Sequence, residues 1–140
     1  MPDARDRLAG FRASLAAVGR AEPRCVEGAF TVESGEAAMS RLLATMPEVD
    51  EVFCGNDLMA QGALLVLRDA GIAVPGRVAV VGDDDSAAAR ACRPTLTTIR
   101  QPIEDMAAAM ARMLTAAIDD PTRPPARRLF RPTLVVRDSA

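Results

Sequence analysis

Three consecutive carboxylates follow an apolar run in the middle of the sequence, as Val78–Val81, Gly82 and Asp83–Asp85. A run rich in β-branched residues is typical of a strand that is buried on both faces of a parallel sheet. Ligands of open α/β sheets bind beyond the carboxyl ends of such strands, so the carboxylates stand where a polar ligand would bind. They could coordinate a hard cation, accept hydrogen bonds from ligand hydroxyl or amino groups, or cap a following short helix. Three neighbouring side chains cannot all face one site, so we expect one of them to contact a ligand.

The composition excludes several kinds of catalytic and metal chemistry. The chain has no histidine, so its own residues cannot supply Ser–His or Cys–His catalysis or a histidine-ligated metal. Cys25, Cys54 and Cys92 are far apart and form neither a disulfide framework nor a zinc motif, which indicates a reducing compartment and small buried thiols. A cation site at Asp83–Asp85 is the weakest interpretation, because no second acidic cluster of similar density accompanies it. We therefore expect no cofactor and no metal.

Other candidate ligand-binding residues each have an ordinary structural explanation as well. Asn56 and Asp57 begin a predicted helix, where such residues often serve as N-caps, but the same place lies at the end of a strand and on the ligand side. Arg5 and Arg7 lie early in the first predicted helix, where positive charge opposes the helix dipole. That placement indicates a partner, or else exposed arginines whose stems cover apolar surface. Phe30 is either a core residue or a flat platform for a ligand ring.

Length and charge favour one globular domain that binds neither nucleic acid nor membrane. With 140 residues the chain can form one compact core. The net charge of −2 argues against a nucleic-acid surface, since phosphate binding needs clustered positive charge. No signal-like segment opens the sequence, and no apolar run approaches the length of a membrane span.

The pattern of apolar residues predicts alternating helices and strands, which is typical of parallel βαβ units and an α/β fold. The predicted helices cover about 3–18, 34–46, 57–70 and 103–118, and the predicted strands cover about 24–28, 51–54, 78–81, 95–99 and 128–136. On the last helix, Met106, Met110 and Met113 share one face with other apolar residues, which indicates core packing.

Five segments together resemble one protein family. Asn56 to Leu64 reads Asn-Asp-Leu-Met-Ala-Gln-Gly-Ala-Leu and resembles the NDxMAxGAL motif of LacI/GalR-type transcriptional regulators. Four further segments agree with motifs of that family in order and spacing: Ala4–Phe11 with RxxGF, Val74–Asp85 with VPxDVxVVGFDD, Pro94–Pro102 with PPLTTVxQP, and Arg131–Ser139 with PTxLVxRxS. The five segments cover nearly the whole chain.

The resemblance implies a periplasmic-binding-protein-like domain whose two lobes close on a small effector, often a sugar and sometimes a nucleobase. It implies a three-layer αβα lobe with a parallel sheet, here incomplete. On this basis residues 1–101 belong to the C-terminal lobe, residues 102–130 form a crossover helix and strand of the N-terminal lobe, and residues 131–140 return to the C-terminal lobe. The helix-turn-helix segment, most of the N-terminal lobe and the strand before Pro2 are expected to lie outside this chain.

The resemblance also implies roles for particular residues. Arg7, Asn56 and Asp84 match polar effector contacts, Phe30 matches an aromatic platform, and Gln101 lies at the hinge near the effector. Arginine donors, a carboxylate, an amide and a flat apolar face suit a polyhydroxylated ring. One residue departs from the pattern, because Asp83 stands where the family usually has Phe or Tyr.

Association of the chain with itself follows from the same resemblance. The residues that match the family's dimer interface are Gln61, Ser86, Ala91 and Cys92. The last helix normally packs into the N-terminal lobe, so its apolar stripe is expected to lie without a partner here, which favours association. We expect a homodimer or a higher homo-oligomer.

The functional prediction is therefore effector sensing for transcriptional control, in the cytoplasm and without catalysis, with operator DNA bound only through a segment outside this chain. A solute-binding component of a sugar transporter with the same fold is the main alternative. A flavodoxin-like enzyme that uses Asp83 or Asp84 as a phosphate-accepting or metal-binding carboxylate is a third. A chain with no activity of its own is a fourth.

Overall fold

A computed structural model describes residues 2–140 of the chain, with side chains from Ala4 onward. Over these residues it contains five helices and four strands. They are α1 (Pro2–Ala17), α2 (Val32–Thr45), β1 (Glu51–Phe53), α3 (Asp57–Asp69), β2 (Ala79–Asp84), α4 (Ala87–Ala91), β3 (Thr97–Arg100), α5 (Ile103–Asp119) and β4 (Thr133–Val135). None of the described helices is long and apolar enough to cross a membrane.

The four strands form one sheet in the order β1-β2-β3-β4. The first three strands are parallel, as the alternation of elements predicts, but β4 runs antiparallel to β3 with Thr98 opposite Val135. The expected parallel sheet is therefore confirmed for β1, β2 and β3, and β4 is the antiparallel exception. The strand predicted over 78–81 extends to Asp84, so it carries two of the three carboxylates within its last residues.

Two predicted strands are absent or shorter than expected. Residues 20–29 form no strand, and among the described residues β1 pairs only with β2. An extended segment becomes a strand only when a neighbour satisfies its backbone hydrogen bonds, and Arg24–Gly28 has no such neighbour here. The strand predicted over 128–136 is reduced to three residues after Pro132, because proline lacks the N–H that a sheet ladder uses.

Helices α2 and α3 pack tightly together, and α3 packs on β2. Thr31 and Ser34 form a capping box, so α2 begins at Val32, two residues earlier than predicted. A Cβ atom added to Gly62 would lie only 2.1 Å from the carbonyl oxygen of Val32, so the two helices approach closely at this glycine. The core beneath them includes the fully buried side chains of Met39, Leu67, Val78, Val80 and Leu96.

The two ends of the described chain are fastened to the sheet by specific contacts. The rings of Phe11 and Phe53 lie 5.4 Å apart and join α1 to β1. Near the C-terminus, the hydroxyl of Ser139 accepts from Thr97 N at 2.8 Å and donates to Val80 O at 2.6 Å. Ser139 is fully buried and joins the beginnings of β2 and β3.

Helix α5 leaves much of its apolar side uncovered. Met110 is 65% exposed, and Ile103, Leu114 and Ile118 are exposed to a similar degree, whereas Ala109 is buried. The expectation that this stripe lacks a partner is confirmed for these four side chains. The prediction of core packing is wrong for Met110, because the described chain places nothing over that side of the helix.

Candidate ligand-binding site

Arg7 reaches from α1 to the carboxyl end of the sheet. Its Nη1 atom donates to the carbonyl oxygen of Gly55 at 3.0 Å and forms an ion pair with Oδ2 of Asp83. The side chain of Asp83 is 3% exposed and that of Arg7 is 32% exposed. A positive side chain in the first half of α1 therefore has a partner, as its unfavourable position in the helix dipole indicated.

Asn56 caps a helix and also holds the segment that carries Phe30. Its Oδ1 accepts from Met59 N at 2.9 Å, and its Nδ2 donates to the carbonyl oxygen of Phe30 at 3.2 Å. A Cβ atom on Gly55 would lie 3.3 Å from the Phe30 ring, so the ring stands beside the end of β1. The two explanations of Asn56, as a cap and as a residue of the ligand side, are thus compatible.

Asp84 and Gln101 lie together at the ends of β2 and β3. Asp84 is exposed, and Nε2 of Gln101 lies 3.5 Å from its Oδ1, the outer limit of a hydrogen bond. The backbone φ of Asp84 is +121°, and those of Asp85 and Phe30 are +53° and +61°. These are the non-glycine residues with positive φ in the described chain, and all three stand at this one edge. Strained backbone of this kind concentrates at ligand-binding sites.

The three adjacent carboxylates meet three different surroundings. Asp83 turns inward to Arg7, Asp84 faces solvent, and Asp85 accepts from Arg137 and, at 2.6 Å, from Nε of Arg100. The expectation that only one of them is free for a ligand therefore agrees with the geometry. None of them caps α4, whose N-cap is Ser86. In the described part of the chain, no group of three or more Cys, Asp or Glu residues is arranged to hold a metal ion.

These surroundings shift the pKa values of the acidic groups in opposite directions. Partial burial raises the pKa of Asp84, and the charges of Asp83 and Asp57 raise it further, while Arg7 lowers it. Burial alone would raise the pKa of Asp85, but hydrogen bonds from Arg137 and Arg100 outweigh it and lower that pKa. Burial raises the pKa of the Cys54 thiol to about 12, with a contribution from Asp57, so Cys54 is not a nucleophile at neutral pH.

Asp57 is buried beneath the candidate site and holds its elements together through hydrogen bonds. The sequence did not predict this role. Oδ2 of Asp57 accepts from Ser86 N at 2.7 Å, and Oδ1 accepts from the Thr98 hydroxyl at 2.6 Å. A Cβ atom at position 82 would lie 2.4 Å from Oδ1, which explains the glycine there. Asp57 thus ties α3, the β2–α4 turn and β3 together. The only signal in the sequence was its position beside Asn56, which a helix cap explains equally well.

The five predicted contact residues lie along one continuous path at the end of the sheet. Gln101 touches Asp84, Asp83 pairs with Arg7, Arg7 binds the Gly55 carbonyl, and Asn56 holds Phe30. The structure therefore brings Arg7, Phe30, Asn56, Asp84 and Gln101 together at an open edge.

The residues predicted for self-association lie elsewhere. Gln61, Ala91 and Cys92 line a hollow of about 210 Å³ between α3 and α4, together with Arg68 and Arg93. Ser86 does not line this hollow, because its N–H is directed at Asp57 and its hydroxyl is buried. Cys54 and Cys92 are buried as expected, whereas Cys25 is exposed, so the prediction of buried thiols is wrong for Cys25.

Comparison with known proteins identifies the family. Residues 2–140 match the family described as the periplasmic binding protein-like domain. The chain belongs to this family. The HTH-type transcriptional regulator CelR of Thermobifida fusca is 45% identical over 136 residues, which are 96% of this chain and 40% of that protein. The HTH-type transcriptional regulator GalR of Escherichia coli (strain K12) is 44% identical over 139 residues, 98% of this chain and 40% of that protein.

A solved structure agrees with the sequence relatives. The complex of the transcriptional regulator CelR with cellobiose matches with a TM-score of 0.92 and 44% identity, over 96% of this chain and 42% of that one. The chain thus spans about 40% of the length of these members of the periplasmic binding protein-like domain family. The resemblance to LacI/GalR-type regulators is confirmed. These relatives are regulators rather than transport components or enzymes, so the transporter alternative is not favoured.

Proposed function

We propose that this chain is the effector-sensing part of a transcriptional regulator and that its effector is a small sugar. The observation that carries the proposal is the convergence of Arg7, Phe30, Asn56, Asp84 and Gln101 at one edge of the sheet. Arg7 supplies N–H donors, Asp84 supplies carboxylate acceptors, and Phe30 offers a flat apolar face to a ring. The similar CelR structure holds cellobiose, which supports a sugar over a nucleobase.

We propose that the open edge is one half of a cleft and that a second lobe supplies the other half. Residues 1–101 and 131–140 would form one lobe, and residues 102–130 would cross to the other. The uncovered apolar side of α5 supports this division, because such a surface needs a partner. Closure of two lobes on an effector would then bias the position of a DNA-binding segment, since the effector contacts the closed state better than the open one.

Neither DNA binding nor catalysis is proposed for the residues of this chain. DNA would be bound through a helix-turn-helix segment and not through these residues, whose net charge is −2. Catalysis is not proposed, since no histidine is present and burial holds Cys54 in its thiol form. A regulator of this kind acts on DNA, so we place it in the cytoplasm.

Self-association is proposed to use the hollow between α3 and α4. Gln61, Ala91 and Cys92, three of the residues that the family resemblance assigns to a dimer interface, line it. In a two-fold dimer the same patch from each copy meets its counterpart, so one surface suffices.

Titration calorimetry with cellobiose tests the proposed function on the intact gene product that contains this chain. Asp84→Ala removes the exposed acceptor and should weaken binding about tenfold or more, because ligand hydroxyls lose a hydrogen bond to a charged group. Asp69→Ala, which removes an exposed carboxylate from the end of α3, should leave the affinity unchanged. Equal affinities for the wild type and Asp84→Ala, or no binding by the wild type at millimolar cellobiose, would contradict the proposal.

A further inference from the structure

Asp83 is the residue of the site that the family pattern does not account for. Its side chain is 3% exposed, and only one of its two carboxylate oxygens is used, in the ion pair with Arg7. The other oxygen, Oδ1, is buried and has no hydrogen-bond partner among the described residues. A buried carboxylate oxygen without a donor is costly, so a ligand group that donates a hydrogen bond to it would be favoured.

Among the residues that the structure describes, the charges around this edge leave no free cation for a ligand. Arg7 is the positive side chain that reaches it, and Asp83 already pairs with Arg7. Asp84 adds a second negative charge; partial burial raises the pKa of Asp84, and the nearby charges of Asp83 and Asp57 raise it further. Asp85 does not alter this balance, because Arg137 and Arg100 pair with it on the other side of β2.

We propose that Asp83, by pairing with Arg7, restricts the site to uncharged polyhydroxylated effectors and excludes those that carry a phosphate or carboxylate where Arg7 makes contact. This inference rests on the proposed function, because it concerns the effector of the same site. A free guanidinium is well suited to bind phosphate or carboxylate in a two-pronged geometry. Paired with Asp83, Arg7 keeps N–H groups for hydroxyl oxygens but offers no unbalanced charge.

The unpartnered Oδ1 of Asp83 fits the same class of ligand. A hydroxyl group can donate to it while accepting from Arg7, whereas a phosphate dianion or a carboxylate has no hydrogen to donate. An anionic group would also be placed against two carboxylates in a partly buried site, where solvent screens charges poorly. Asp84 is exposed, so its charge is better screened than that of Asp83.

An alternative role for Asp83 is simply to anchor α1 to the sheet. The variant Asp83→Asn separates the two roles, because the amide oxygen can still accept from Arg7 but the negative charge is lost. Asp69→Asn is the matched control, since it removes one carboxylate from an exposed position beside Arg68.

The first measurement compares cellobiose with cellobiose 6-phosphate by calorimetry on the intact gene product. The wild type and Asp69→Asn should bind cellobiose and reject the phosphate. In Asp83→Asn the ratio of the two affinities should shift towards the phosphate by about tenfold or more, as expected for the loss of one close charge. A wild type that binds both sugars equally, or an unchanged ratio in Asp83→Asn, would overturn the inference.

The second measurement needs no sugar and therefore separates this inference from the proposed function. Inorganic phosphate, at constant ionic strength, should raise the thermal midpoint of Asp83→Asn more than that of the wild type or Asp69→Asn. If cellobiose binds to none of the proteins but phosphate still distinguishes Asp83→Asn, the sugar assignment fails and the role of Asp83 stands. If phosphate acts alike on all three, Asp83 does not control the charge of Arg7. Should Asp83→Asn fail to fold, Asp83→Ser and the wild-type sugar comparison decide the question.

Discussion

At the residue scale, three adjacent carboxylates behave differently because each meets a different set of neighbours. Asp83 neutralises Arg7, Asp84 stays exposed at the edge, and Asp85 is enclosed by arginines from β3 and from the C-terminal segment. The positive φ angles of Asp84 and Asp85 turn the chain so that these directions diverge. The ion pairs of Asp85 with Arg100 and Arg137 thus stabilise the positive-φ backbone from which the Asp84 side chain extends into solvent.

The opposite pKa shifts of Asp84 and Asp85 give a prediction about pH. The folded-state pKa of Asp85 is lowered, so its contribution to stability is complete above the unfolded pKa of about 4 and is lost as the pH falls through the folded value. Asp85→Asn should therefore lower the free energy of unfolding at pH 7, and its difference from the wild type should shrink below about pH 4. Urea unfolding between pH 3 and pH 7 measures both quantities.

Asp84→Asn is the matched control for this prediction. The folded-state pKa of Asp84 is raised, so its ionised form opposes folding above that pKa. This variant should be as stable as the wild type or more stable at pH 7, with the gain vanishing at lower pH. If Asp85→Asn lowers the free energy of unfolding by the same amount at every pH, the charge of Asp85 does not contribute to stability.

Residue types and the family resemblance predicted a set of candidate contact residues, but they did not predict how these pair. Arg7, Asn56 and Asp84 were expected to share one ligand pocket, and the structure places them along one edge of the sheet. The partner of Arg7 is nevertheless Asp83, because the choice between adjacent carboxylates depends on where α1 lies relative to the end of β2. The roles of Asp57 and Arg137 depend on contacts across more than 25 positions, which local patterns do not reveal.

At the scale of the elements, local signals were reliable for helices and less so for strands. Helices α3 and α5 begin where caps and proline predicted, since such signals act within one turn. Strands depend on neighbours, so Arg24–Gly28, which pairs with no other segment of the described chain, is irregular. The direction of β4 also escaped prediction, because a strand of three residues is too short to show the pattern that separates parallel from antiparallel strands.

The close approach of α2 and α3 gives a prediction with an internal control. Gly62→Ala places a methyl group 2.1 Å from the Val32 carbonyl oxygen and should lower the free energy of unfolding by about 3 kcal/mol. Gly10→Ala, on α1 with no atom within 4 Å of the new methyl, should instead raise it by up to about 1 kcal/mol. Chemical denaturation of both variants checks this, and equal effects would show that the two helices are not in contact at Gly62.

At the scale of the whole molecule, two surfaces are candidates for contact with a partner, and they differ in polarity. The hollow between α3 and α4 is small and partly polar, as suits contact with a second copy. The side of α5 formed by Ile103, Met110, Leu114 and Ile118 is entirely apolar and exposed, as suits a second lobe. The ligand edge is a third, open surface and lies apart from the hollow.

A charge placed in the hollow should prevent dimerisation. Ala91→Arg adds a positive charge beside Arg68 and Arg93, and a two-fold interface would bring two such patches together. We expect light scattering to give a monomer mass for this variant and a dimer mass for the wild type. The control Ala13→Arg adds the same charge at an exposed position of α1, outside the hollow, and should keep the dimer mass. A dimer that persists in Ala91→Arg would place the interface elsewhere.

Mapping of amide chemical shifts tests most directly whether this edge of the sheet binds a sugar. With ¹⁵N-labelled protein and cellobiose, we predict that the shifts concentrate at Phe30, Asn56, Asp84, Gln101 and the side-chain signals of Arg7. Shifts confined to the hollow around Gln61 and Ala91, or no shifts at saturating cellobiose, would contradict the account.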